Sequence, residues 1–93
     1  MIFLRRVVGD SMCPTLNEGQ IVWSSPFKTP KVGDVVVAVQ NGREVVKRVD
    51  TITDDWQVKL LGDNPHHSTD SRQLGSIPKR NILGVVIWPN TKR

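Results

Sequence analysis

Hydrophobic residues in this chain fall in short runs and alternations, and nowhere recur at the three-and-four spacing of a long amphipathic helix. The clearest pattern is Val35-Val36-Val37-Ala38-Val39-Gln40, then Asn41-Gly42, then Arg43-Glu44-Val45-Val46-Lys47-Arg48-Val49. Asn-Gly between two apolar runs predicts a two-residue β-hairpin, because both central residues of a type I′ turn need positive φ. The turn sets the register, with Gln40 opposite Arg43, Ala38 opposite Val45 and Val36 opposite Lys47. One face then carries Val36, Ala38, Val45, Lys47 and Val49. The other carries Val35, Val37, Val39, Glu44, Val46 and Arg48. Both faces are largely apolar, so the hairpin is expected to be covered on both sides. That places the Lys47 ammonium among valines.

Around this hairpin the pattern predicts further strands. Residues 2–8 read as a first strand ending in a bend at Gly9. Asn17-Glu18-Gly19 is a turn before a short strand from Gln20 to Trp23. Residues 24–34, with Ser24, Ser25, Pro26, Pro30 and Gly33, read as a loop. Asp54-Asp55 is a second turn, followed by a return strand from Trp56 to Leu61. Gly62 to Gly75 is polar and turn-rich. Pro78-Lys79-Arg80-Asn81 predicts a helical turn, and Ile82 to Trp88 a last strand broken by Gly84. Residues 89–93 are expected to be a frayed tail. The expected architecture is all-β: one small antiparallel domain over residues 1–93, with short helical turns.

Composition narrows the classes of function. With 38% hydrophobic residues and few aromatics, the core must be aliphatic, and its Val and Ile content favours strands. A single cysteine excludes an internal disulfide framework and fits a reducing compartment. Only four apolar residues precede Arg5-Arg6, too few for a signal-peptide core or a membrane span. A soluble, cytoplasmic protein is expected. The net charge of +4 and pI near 9.7 raise the question of nucleic acid. The basic residues are scattered in pairs such as Lys47-Arg48 and Lys79-Arg80, and three tryptophans are too dispersed for a stacking platform. The charge therefore reads as solvated surface.

The candidate chemistry lies in Gly9-Asp10-Ser11-Met12-Cys13-Pro14-Thr15-Leu16. Gly9 and Asp10 make a bend that presents Ser11, and Pro14 stops a continuing strand. Such a mount suits a nucleophile if a base lies within hydrogen-bond reach. Without a base, Ser11 is an ordinary turn former. The candidate bases are Lys47, His66 and His67. The two histidines are adjacent in a polar loop, where solvent-facing side chains are usual, and Cys13, His66 and His67 have no recognised metal-ligand spacing. No metal or other cofactor is expected. A lysine with its ordinary pKa of about 10.4 needs roughly 4–5 kcal/mol to be neutral at pH 7. Burial among apolar groups can lower that pKa by up to about 3–5 units, and the valine face supplies the burial. The competing reading is a stem packed on valines with its head reaching water.

Four blocks together carry a resemblance. Gly9-Asp10-Ser11-Met12-x-Pro14-Thr15-Leu16, Val32-Gly33-Asp34-Val35-Val36-Val37, Val46-Lys47-Arg48-Val49 and Gly62-Asp63-Asn64-Pro65-x-x-Ser68-Thr69-Asp70-Ser71-Arg72-x-x-Gly75 resemble, in order, the signature blocks of type I signal peptidases. These are Ser-Lys proteases of mainly β fold. The resemblance implies Ser11 as nucleophile, with its backbone N–H as an oxyanion donor, and Lys47 as general base. It also implies Ser68 as an orienting hydroxyl for the lysine, and Asp70 and Arg72 as braces of the site.

The chain departs from that family in lacking a membrane anchor, and in having Gly9 where some members place a hydroxyl donor. The anchor-free form with its Gly-Asp-Asn-Pro block is similar to the proteases that mature nickel-type superoxide dismutase. That similarity implies the dismutase precursor as partner and removal of its N-terminal leader as the reaction. Two rivals stand beside it. One is an anchor-free or self-cleaving repressor-type peptidase with another substrate, since repressor domains share the Gly-Asp-Ser-Met corner. The other is a small basic β-domain that binds nucleic acid, which steep weakening by salt would reveal.

Overall fold

The Asn41-Gly42 turn forms as its residues require: Asn41 has φ 57° and Gly42 φ 76°. In the computed structural model, which describes residues 1–64 and 75–92, it joins strands β3 (Val35–Gln40) and β4 (Arg43–Ile52). Their register pairs Gln40 with Arg43, Ala38 with Val45 and Val36 with Lys47, as the turn predicts. The remaining strands are β1 (Phe3–Arg6), β2 (Ile21–Ser25), β5 (Gln57–Leu61), β6 (Ile77–Pro78) and β7 (Ile82–Trp88). One turn of 3-10 helix, Lys79–Asn81, follows Pro78. All the strand pairs are antiparallel, in one sheet ordered β1-β2-β7-β3-β4-β5-β6. No helix among the described residues is long and apolar enough to cross a membrane.

Both hairpin faces are covered, each by its own cluster. Val35 and Val37 join Val7, Met12, Leu16, Val22 and Val86, with Phe3, Val46 and Leu83 packed against them. Val36, Ala38 and Val49 join Val58, Leu60, Ile77 and Val85 on the other face. Each fully buried side chain of this kind stabilises the fold by roughly 1.5–3 kcal/mol. The sheet is also strongly curved. β1 and β4 stand four places apart, about 19 Å at about 4.8 Å per strand if the sheet were flat. Yet Arg5 and Glu44 form an ion pair across that interval, so the sheet curls until β1 faces the hairpin.

Four expectations are corrected. The first strand is shorter than residues 2–8, although Val7 still donates to the Gln20 carbonyl at 2.8 Å. Ser24 and Ser25 belong to β2 and not to a loop, because they pair with Val86 and Val85. Gly84 does not break the last strand: it pairs with Val37, and a Cβ there would lie 2.7 Å from the Phe3 ring. Glycine stands at that point so that an aromatic ring can lie against the backbone. The tail is not frayed as far as Thr91, which is buried and gives its carbonyl to Arg48.

Candidate active site

Ser11 is mounted by apolar anchors. Met12 and Leu16 are both fully buried in the first cluster, and Leu16 donates its N–H to the Met12 carbonyl at 2.9 Å. Gly9 takes φ 80°, the positive region that the bend requires, and Cys13 donates to the Asp10 carbonyl at 3.1 Å. Ser11, held between these fixed points, is only half-buried. The local sequence thus plugs the corner into the core on one side and leaves the serine at the surface on the other.

Lys47 lies in the middle of β4 opposite Val36 and is only 5% exposed. The fold brings it and Ser11 to a single groove of about 490 Å³. One wall is the β1 segment and the bend after it, from Arg5 to Ser11; the other is β4 from Arg43 to Lys47. Successive residues of both segments line it, although their side chains alternate between faces. The groove therefore runs along two strand edges. β1 ends the sheet, and among the described residues β4 pairs with β5 only from Arg48 onward. The slot between them is walled on both sides by strand edge. The Arg5–Glu44 ion pair, between half-exposed side chains, spans its end away from Ser11.

On the opposite face from Lys47, the next residue ties the corner down. Arg48 donates from Nε to Asp63 Oδ1 at 2.9 Å and from Nη2 to Asp63 Oδ2 at 2.7 Å. Its remaining bonds go to the carbonyls of Gly33 and Thr91, both at 2.8 Å. Asp63 Oδ2 also accepts from the Thr15 hydroxyl at 2.5 Å, inside the serine corner. Asn64 completes the tie: its N–H donates to the Ser11 carbonyl at 2.8 Å and its Nδ2 to the Asp10 carbonyl at 3.2 Å. A planar guanidinium with its donors met on several sides is a rigid strut. It sits one residue from Lys47 and reaches Ser11 through two short links.

The expected site residues fall into two groups. Ser11 and Lys47 line one groove. Ser68, Asp70 and Arg72, with His66 and His67, lie outside the described residues. The Arg48–Asp63–Thr15 brace and the Asn64 clamp were not foreseen, although all four residues stand inside the quoted blocks. The signal available was the Arg-Asp pairing of two blocks, and hairpin register alone leaves the partner of Arg48 open.

A comparison with known families matches residues 1–87 to Peptidase S24-like. The chain belongs to that family. Its antiparallel sheet fits the peptidase β fold, and membership supports a serine peptidase or a self-cleaving repressor-type protein, in a family that also includes non-catalytic members. No curated protein matches the chain significantly.

Proposed function

We propose that this protein is a serine endopeptidase in which Ser11 is the nucleophile and Lys47 the general base. The observation that carries the reading is that Ser11 and a buried Lys47 line the same edge-walled groove. Burial disfavours the ammonium and so favours the neutral amine a base must be. An extended peptide fits the slot, taking main-chain hydrogen bonds from the exposed edges.

The reaction divides into two steps. Lys47 Nζ takes the Ser11 hydroxyl proton as Oγ attacks the scissile carbonyl carbon. The backbone N–H of Ser11 meets the developing oxyanion. The C–N bond then breaks, the amine leaves with the proton from Lys47, and an acyl ester remains on Ser11. Water gives a proton to Lys47 and attacks the ester, and the proton returns to Oγ as the acid product departs. Ser68 orients the lysine, and Asp70 and Arg72 brace it, in the arrangement that the fourth block supports. No cofactor enters. The substrate proposed is a leader-bearing precursor, with the nickel superoxide dismutase precursor as the particular one. This rests on the resemblance of the anchor-free form and its fourth block to the dismutase-maturing proteases, and the cytoplasmic setting on the single cysteine and the short apolar start.

The test is cleavage of that precursor, and of a peptide spanning its leader junction, by purified protein. Ser11→Ala and Lys47→Met should each abolish cleavage with an unchanged circular dichroism spectrum. A Ser11→Ala protein that still cuts at a substantial fraction of the parent rate refutes the mechanism. Family membership favours one further arm. If the chain cuts itself and no peptide in trans, it is a self-cleaving protein of the repressor type.

A further inference from the structure

The proposed chemistry uses one end of the groove and leaves a buried amide at the other. Gln40, the last residue of β3, is 2% exposed, and among the described residues neither its Oε1 nor its Nε2 has a hydrogen-bond partner. Buried polar side chains are nearly always paired, and leaving both ends of one amide unmade is unfavourable. Gln40 lines the groove together with Arg43, its partner in the hairpin register. The register puts Gln40 on the same face as Val45 and Lys47. Along β4, Arg43 and Lys47 are four residues apart, about 13 Å at roughly 3.3 Å per residue. An extended peptide lays down about four residues over that length.

We propose that Gln40 is a substrate-binding residue whose amide pairs with the main chain of the peptide about four residues from the scissile bond. Its Oε1 accepts the peptide N–H and its Nε2 donates to the C=O of the same residue. An amide carries one acceptor and a donor pair, the complement of what each residue of an extended chain presents. Both amide atoms are closed to water in the free protein, so an entering peptide reaches them only by moving the groups that cover them. The Arg5–Glu44 ion pair crosses the groove near this level, and an entering peptide displaces that exposed contact. The inference rests on the peptidase reading of Ser11 and Lys47, and adds that the enzyme measures substrate length by main-chain contact.

The experiment uses a proteome-derived peptide library to find a peptide that the parent protein cuts. That peptide is resynthesised and trimmed one residue at a time from each end. In the parent, kcat/KM should fall about tenfold at the trim that removes the fourth residue on one side, the loss expected for a hydrogen-bonded pair. In Gln40→Leu that step should vanish, with full-length peptide cut about tenfold more slowly and trimmed peptide at the parent rate. Replacing the main-chain N–H at that residue by an ester oxygen should slow the parent and leave Gln40→Leu unchanged. The melting temperature of Gln40→Leu should equal or exceed that of the parent, since an orphaned amide has been removed. A length step that survives in Gln40→Leu overturns the subsite and leaves the dyad standing. So does a variant that loses stability and slows equally on peptides of every length. A parent protein that makes no Ser11-dependent cut removes the dyad and the subsite together.

Discussion

Asp63→Ala tests the brace most severely. The substitution removes the carboxylate that meets two nitrogens of Arg48 and the Thr15 hydroxyl. The Asp63 side chain is 2% exposed and that of Arg48 10%, so little water can replace the lost oxygens. Removing one member of a buried pair costs about 3–5 kcal/mol, because the other charge stays buried and unmatched. The Gly33 and Thr91 carbonyls still hold Arg48, which puts the expected loss toward the lower figure. A chain of 93 residues has roughly 5–14 kcal/mol in all, so the loss is a large fraction of the total. Urea unfolding followed by tryptophan fluorescence reads it directly. With a urea m-value of about 1–3 kcal/mol/M, the midpoint should fall by at least about 1 M. The double variant Arg48→Met/Asp63→Leu should lie above Asp63→Ala, since an apolar pair leaves no stranded charge. A loss under about 1 kcal/mol for Asp63→Ala, the range of an exposed ion pair, refutes the reasoning.

Two further outcomes follow from the structure. With Lys47 as base, kcat/KM should rise with pH through one ionisation, because the neutral amine is the active form. The rise should be unmoved by His66→Ala/His67→Ala; a histidine base would titrate near 6.5 and be lost in that variant. Gly84→Ala should destabilise by roughly 1–3 kcal/mol in thermal unfolding, because its Cβ meets the Phe3 ring at 2.7 Å, and unchanged stability would refute the close packing.

What could be read from the sequence was local. The Asn41-Gly42 dipeptide dictates its own turn, the turn dictates the register, and the register alone puts Lys47 opposite a buried valine. Ser24 and Ser25 misled because their composition is that of a loop, while their strand is fixed by pairing with residues some sixty positions on. Thr91 misled for the same reason, since its order comes from Arg48 and not from its neighbours. The Ser11 corner was visible as a bend. Its clamp was not, because the atoms Asn64 grips are the backbone carbonyls of Asp10 and Ser11, which carry no residue-type signature.

The place of β7 in the sheet governs how the molecule comes into being. β1 and β2 form one hairpin, and β3, β4 and β5 form a separate meander; in the strand order β7 joins them, lying between β2 and β3. Ser11 lies in the first unit, on the connection between β1 and β2, and Lys47 belongs to the second. During synthesis the two halves of the groove emerge early, each with a bare edge awaiting the same late strand. Closure of such non-local pairs is slow, and the waiting edges of β2 and β3 are open to pairing with other chains. The sheet that carries both halves of the groove is continuous only once β7 has paired with β2 and β3. Expression at low temperature, or with a holdase that shields strand edges, should therefore raise the yield of folded protein more than any change at the groove itself.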